Sequence, residues 1–347
     1  MFKISMLELG HLFNHSDINY LIEECKKFHI KLDLNLHKYL FSKNHANDRS
    51  LIEDSDVLLI NNFDVLIQNP KNCELIELLR KDFPQKFIVG VVQELPHYKN
   101  CYDSKKHLLD YTIGTAHESR IPDVKNYSYF PFPIPSKNIY EMANNRSPSR
   151  VLLSGSFRLA RAQLYYRLMS NSDLSTVLFY SENRRYSKEY DGTNSIYPVN
   201  FKEKFGDKVI SSSDNTYKDY IKELSLSQVI INYSRQVTST EGFHLDIDHN
   251  MSKISQKQDF EFISTRVREC ALTKTACLSN YDKIYSMSGL EEGVHMITYS
   301  SYDDLVDKTK YLSANPELCQ SLGENLFRYY KDNYTDIHLI KKIKELV

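Results

Sequence analysis

The sequence predicts an α/β protein of two doubly wound, Rossmann-like domains facing each other across a cleft. Three observations predict it. Short apolar runs alternate with stretches of helical periodicity along the whole chain, the pattern of parallel sheets covered by helices on both faces. A proline-rich stretch at 129–135 (YFPFPIP), followed by a polar one at 144–149 (NNRSPS), interrupts that alternation near the middle. The length, 347 residues, suits two ordinary domains.

In the first half, residues 2–9 read as a strand. Residues 17–28 carry Ile18, Leu21, Ile22 and Cys25 at helical spacing. Residues 30–36 form a second strand. Residues 56–61 (DVLLIN) and 86–93 (KFIVGVVQ) are continuous apolar runs, as expected of parallel strands buried on both faces. A helix over 73–82 lies between them, and 111–115 (YTIGT) is a fifth strand. The two punctuating stretches read together as a linker. The second half predicts strands at 150–154, 175–180, 227–233, 276–279 and 295–299, with helices at 160–169, 217–226 and 265–272 among them. Helices at 302–312, 316–333 and 336–347 close the chain. The predicted boundaries are 1–143, 150–335 and a terminal helix over 336–347 that crosses back onto the first domain.

Composition excludes several classes. With 44 basic and 45 acidic side chains the net charge is −1, so no broad basic footprint for nucleic acid exists. The six cysteines (Cys25, Cys73, Cys101, Cys270, Cys277, Cys319) contain no C-x-x-C spacing for zinc or redox work. Their scatter in a large chain predicts free thiols in a reducing compartment. The opening MFKISMLELGHLFNH lacks the basic and apolar regions of a signal peptide, and no apolar run of membrane-spanning length occurs. A cytoplasmic protein is expected, and peripheral attachment at the inner membrane surface is compatible with that.

Two stretches carry chemistry. In 152–161 (LLSGSFRLAR) a strand ends in Ser154-Gly155-Ser156 and a helix follows. Glycine permits a tight turn and close approach of a ligand, helix N-terminal amides hold phosphate, and Arg158 and Arg161 add cations. The same residues also fit a plain strand–helix turn with solvated arginines. In 265–280 (TRVRECALTKTACLSN), Arg266 and Glu269 are three apart and share a helix face. Such a carboxylate can accept two ribose hydroxyls, and the arginine can fork onto a diphosphate. A surface ion pair is the competing reading.

Residues 265–335 resemble the C-terminal segment of CgeB-like glycosyltransferases, within the wider group-1 glycosyltransferases. The resemblance rests on Arg266-x-x-Glu269-Cys270-Ala271-Leu272, Gly293-Val294-His295, Tyr299, Asp303-Asp304-Leu305, Asn315-Pro316-Glu317 and Tyr334-Thr335. The segment 150–161 is similar to the first strand and turn of that family's donor domain. One position departs: Lys274 stands where a small residue usually follows the R-x-x-E helix.

The resemblance implies the two-Rossmann-domain (GT-B) glycosyltransferase fold, acting without a tightly bound metal and with no cofactor beyond its nucleotide-sugar co-substrate. A UDP- or GDP-sugar would lie on the C-terminal domain, and a glycan or lipid-linked acceptor on the N-terminal one. Glu269 would take the ribose hydroxyls. Arg266, Arg158, Arg161 and Lys274 would neutralise the diphosphate, with Gly155 and Ser156 lining it. Asp246-x-Asp248 looks like a metal-binding D-x-D but reads as a loop feature. Glu261 lies eight residues before Glu269, the spacing of retaining members, although the intervening FISTRVR lacks the usual glycine. An inverting enzyme would need a general base from the first domain. Glu8, His11, Glu94, His97 and His117 are the candidates at strand ends, although a lone histidine is more often structural. A non-catalytic two-domain sugar or nucleotide binder and a sugar-nucleotide epimerase share this architecture and remain alternatives.

Overall fold

The computed structural model describes residues 3–9, 29–32, 46–61, 63–92, 95–118, 124–136, 142, 146–156, 159–181, 196–211, 217–233 and 263–347. The chain divides into two compact units. One comprises Met1–Ile139, Glu261–Ile263 and Asn333–Val347, and the other Tyr140–Phe260 and Ser264–Asp332. Each is built on a parallel six-stranded sheet.

In the first unit the strands are β1 (Ile4–Leu9), β2 (His29–Leu32), β3 (Val57–Ile60), β4 (Phe87–Val92), β5 (Tyr111–Gly114) and β6 (Tyr127–Tyr129). Their spatial order is β2-β1-β3-β4-β5-β6. Helices α1 (Ala46–Asp54), α2 (Phe63–Leu66), α3 (Pro70–Asp82) and α4 (Leu95–Lys105) connect them. The apolar run of β3 is buried on both faces because its side chains alternate. Leu58 and Ile60 pack with Phe63, Ile76 and Leu79, while Val57 and Leu59 pack with Val89, Ile113 and Phe130.

The proline-rich stretch belongs to the first unit, and the division between the units falls just beyond it, at Ile139 and Tyr140. Tyr127–Tyr129 adds the strand β6, the amide of Phe130 bonds the carbonyl of Gly114, and Ile134 is 1% exposed. Ile134 pairs with Thr335, and its amide donates to the carbonyl of Tyr334. The prolines alternate with residues that still have an N–H to give, so the stretch runs as an edge segment. Beyond it, the last helix of the chain, spanning Asp336–Lys344, covers the second face of the sheet with Leu339 and Ile343. Thr335 caps it in a reciprocal capping box with His338.

The second unit has strands β7 (Val151–Ser156), β8 (Thr176–Ser181), β9 (Val209–Ser211), β10 (Val229–Asn232), β11 (Ala276–Asn280) and β12 (Ile297–Tyr299), in the order β12-β11-β10-β7-β8-β9. Its helices are α5 (Leu159–Ser170), α6 (Ile196–Phe205), α7 (Tyr217–Leu226), α8 (Thr265–Thr273), α9 (Lys283–Met287), α10 (Tyr302–Ala314) and α11 (Pro316–Asn333), so the terminal helix is α12. The three-residue β9 is too short to show a period in the sequence, and the helix α6 carries a proline, Pro198, in its first turn. Val151, Leu153, Val229, Ile231, Ala276 and Leu278 face one core with Leu164, Phe201, Leu305 and Leu322. The alternate residues of the same strands face the opposite side. Strand order reverses between β7 and β10, which makes their carboxyl ends the topological switch point, where such sheets hold ligands. No helix among the described residues is long and apolar enough to cross a membrane.

Lys274 ends α8 in the left-handed conformation, at φ 54° and ψ 32°. This is the turn for which a small residue was expected. Its carbonyl lies so close to α11 that a Cβ on Gly323 would sit 1.9 Å from the oxygen. Gly323→Ala is therefore expected to destabilise the protein by about 2–3 kcal/mol, read as a lower denaturation midpoint in urea at unchanged slope.

Candidate functional site

The register aligns a row of side chains near the carboxyl ends of the second sheet. Ser154 pairs with Phe179, Asn232 pairs with Ser279, and the pairing of Leu153 with Ile231 sets Ser154 beside Asn232. All four lie on the face opposite the Leu153 core. Asn232 Nδ2 donates to Ser279 Oγ at 2.8 Å, and Ser279 Oγ lies 2.6 Å from Tyr285 Oη. Tyr299 Oη donates to the carbonyl of Asn232 at 3.0 Å. Ser264, at the start of α8, spends its hydroxyl on Asn232 Oδ1 at 3.1 Å and makes no side-chain cap to its own helix. These bonds tie the start of α8 to the ends of β10 and β11.

Glu269 sits one turn further along α8 and is 6% exposed. Its Oε2 accepts from Arg266 Nη1 at 2.6 Å and from the hydroxyl of Tyr220, on α7, at 2.8 Å. The Arg266 side chain is 14% exposed, and its guanidinium carbon lies 5.5 Å from the centre of the Tyr220 ring. The Tyr220 ring leans on Phe179 at 5.0 Å, and its hydroxyl lies 3.5 Å from Ser154 Oγ. Tyr165 Oη in turn donates to the carbonyl of Ser154 at 2.8 Å. Burial lowers the pKa of Arg266, but the carboxylate of Glu269 outweighs it, and the guanidinium ends above its usual value. Among the described residues, Glu269 Oε1 has no hydrogen-bond partner, and neither do the remaining guanidinium nitrogens of Arg266. The pair is therefore held in place and still has valences to give: an acceptor oxygen beside charged donors.

Arg266 and Glu269 are thus a buried pair on the face of α8 that meets α7, not an ion pair on an outer surface. Gly155 and Ser156 end β7 directly beyond Ser154. Arg161 lies on α5 and donates to the carbonyl of Tyr233, just past β10, at 2.8 Å. Lys274 does not join them. It caps the far end of α8, before β11 begins, and its ammonium lies 4.9 Å from the centre of the Phe327 ring. The left-handed turn aims that side chain at α11, away from the carboxyl ends of the strands.

Arg158, Glu261, Glu94, His11 and the Asp246-x-Asp248 pair lie outside the described residues. Of Glu8 and His97, only the backbone of β1 and α4 is described. His117 is half-buried, its ring 5.5 Å from that of Tyr129. Cys73, Cys101, Cys270, Cys277 and Cys319 are free thiols, and burial pushes the Cys270 thiol well above its ordinary value. Among the described residues no cluster of His, Cys, Asp or Glu has the makings of a metal site. Tyr220 is the member of the site that sequence reasoning missed. One tyrosine among 25 bears no local mark, and its partner is 49 residues away.

No family model matches the sequence, and no curated protein matches it. Solved structures match in fold. HepE from Anabaena, in complex with UDP and glucose, superposes with a TM-score of 0.63 at 9% identity, over 99% of both chains. The lipopolysaccharide outer core galactosyltransferase WaaB, in its apo form, gives 0.54 at 12% identity, also over 99% of both. Sucrose-phosphate synthase from Thermosynechococcus elongatus gives 0.58 at 11% identity, over 92% of this chain and 83% of that one. At these identities the likeness establishes the fold, and the fold is the two-domain GT-B type.

The position of Lys274 yields a clear expectation. Lys274→Gly relieves a left-handed lysine at a cation–ring contact remote from the pair, so nucleotide affinity measured by calorimetry is expected to stay within about twofold of wild type, less than 0.5 kcal/mol.

Proposed function

We propose that this chain is a glycosyltransferase of the CgeB-like, group-1 type, which moves a sugar from a UDP- or GDP-sugar to a glycan or lipid-linked acceptor in surface polysaccharide synthesis. The observation that carries the reading is the Arg266–Glu269 pair at the switch-point end of the second sheet, with one carboxylate oxygen and several guanidinium N–H groups that have no partner among the described residues. A nucleoside diphosphate has the matching groups, hydroxyls on ribose and charged oxygens on phosphate. The solved complex of HepE with UDP-glucose, which shares this fold, supports the same substrate class.

In this reading Glu269 Oε1 accepts from the ribose hydroxyls, and Arg266, with Arg158 and Arg161, faces the diphosphate. Gly155, near the end of β7, lets the ligand approach the backbone. As the bond between the anomeric carbon and the phosphate oxygen breaks, negative charge grows on the diphosphate, and fixed guanidinium groups stabilise it without reorganising. The reaction then requires no metal. The first unit takes the acceptor. For an inverting course it supplies the general base from among Glu94, His97 and His11. For a retaining course Glu261 is the donor-side carboxylate. The setting is cytoplasmic, peripheral to the inner membrane surface where lipid-linked acceptors lie.

Glu269→Ala is expected to weaken UDP or GDP binding by about ten- to a hundredfold, or ~1.5–3 kcal/mol, while the protein stays folded. Titration calorimetry beside a thermal melt measures both, and an unchanged affinity would contradict the assignment. Slow hydrolysis of the bound nucleotide sugar in EDTA, at the same rate as with magnesium, is the expected sign of metal-independent catalysis. A chain that binds nucleotide sugar but never cleaves it is a binder rather than an enzyme.

A further inference from the structure

Tyr220 has no part in the reading given so far, yet it shares an oxygen with Arg266. A phenol carries one proton to donate. Tyr220 gives it to Glu269 Oε2 at 2.8 Å, the oxygen that also takes Arg266 Nη1 at 2.6 Å. Arginine and carboxylate in contact frequently close into a two-pronged fork, each oxygen taking one N–H. Here one oxygen takes both donors, and Oε1 has none among the described residues. The tyrosine ring also braces the arm of that fork, since it lies 5.5 Å below the Arg266 guanidinium carbon and is itself held against Phe179 at 5.0 Å.

We infer that Tyr220 is a positioning residue that holds the Glu269 carboxylate turned so that Oε1 stays open to the sugar hydroxyls of a ribonucleotide, and so sets the preference for ribo- over deoxyribonucleotides. The inference rests on the reading of Glu269 as the ribose acceptor. Without the phenol proton, Arg266 is free to swing its second nitrogen onto Oε1 and close the fork. The carboxylate would still be paired and buried, but its recognising oxygen would be spent. The loss would fall chiefly on the ribose hydroxyls, because in the same reading Arg158 and Arg161 still face the phosphates and Arg266 gives up a single N–H.

Tyr220→Phe removes one oxygen and keeps the ring against Phe179 and Arg266, so the fold is retained, as a thermal melt checks. The affinities of UDP and 2′-deoxy-UDP, and of GDP and 2′-deoxy-GDP, are measured by calorimetry for wild type, Tyr220→Phe and Glu269→Ala. Wild type is expected to prefer the ribonucleotide by about tenfold or more, the worth of a hydrogen bond to a charged group. Glu269→Ala is expected to lose the preference. Tyr220→Phe is expected to lose most of it as well, with a much smaller loss of affinity for the deoxynucleotide than for the ribonucleotide. If Glu269→Ala loses the preference and Tyr220→Phe keeps it, the role given to Tyr220 is wrong and the ribose reading stands. If Tyr220→Phe weakens both nucleotides equally, Tyr220 is a packing residue only, and the inference is again overturned. If Glu269→Ala keeps the preference, the ribose reading itself fails, and the inference with it.

Discussion

The site depends on one buried carboxylate. A lone ionised Glu269 at 6% exposure would cost several kcal/mol in lost hydration. Arg266 and Tyr220 offset that cost with two charge-assisted bonds to the same oxygen. Because both bonds converge on Oε2, the other oxygen, unpartnered among the described residues, keeps its acceptor capacity. The arrangement thus meets two opposed demands: the charge is paired well enough to stay inside the fold, and it is left incomplete on the side where a ligand can finish it.

The sheet makes that arrangement possible. Parallel register brings Ser154, Phe179, Asn232 and Ser279 into one row although they come from four strands. Tyr220 on α7 reaches Phe179 and Ser154 from above the row, and Ser264 anchors the start of α8 to Asn232. The other end of α8 is fixed by a different device. Lys274 turns left-handed, Arg146 donates to the carbonyls of Thr273 and Lys274, and Gly323 lets α11 close over the turn. With both ends held, the helix has little freedom to slide or rotate, and Glu269 is placed by backbone rather than by its own rotamer alone.

Much of this was legible in the sequence, for identifiable reasons. The buried strands β3 and β4 announce themselves as continuous apolar runs, and Arg266 with Glu269 announces itself by spacing on a helix. Other parts depend on contacts that no local pattern encodes. The proline-rich stretch punctuates the sequence, yet it packs as the continuation of β6, because the N–H of Phe130 finds the carbonyl of Gly114 and that of Ile134 the carbonyl of Tyr334, 200 residues on. Lys274 reads as a cation suited to phosphate. Its left-handed backbone and the ring of Phe327 commit it elsewhere. Tyr220 is invisible because its meaning lies in an oxygen shared with a residue on another helix.

The central claim is that Glu269 Oε1 is the open acceptor of a ribonucleotide site on the second unit. A crystal structure of the protein soaked with UDP or GDP tests it most directly. The account predicts a ribose hydroxyl at hydrogen-bond distance from Glu269 Oε1, with Oε2 still shared by Arg266 and Tyr220. A nucleotide seated away from α8, or a carboxylate forked onto Arg266 through both oxygens while the nucleotide is bound, would contradict it.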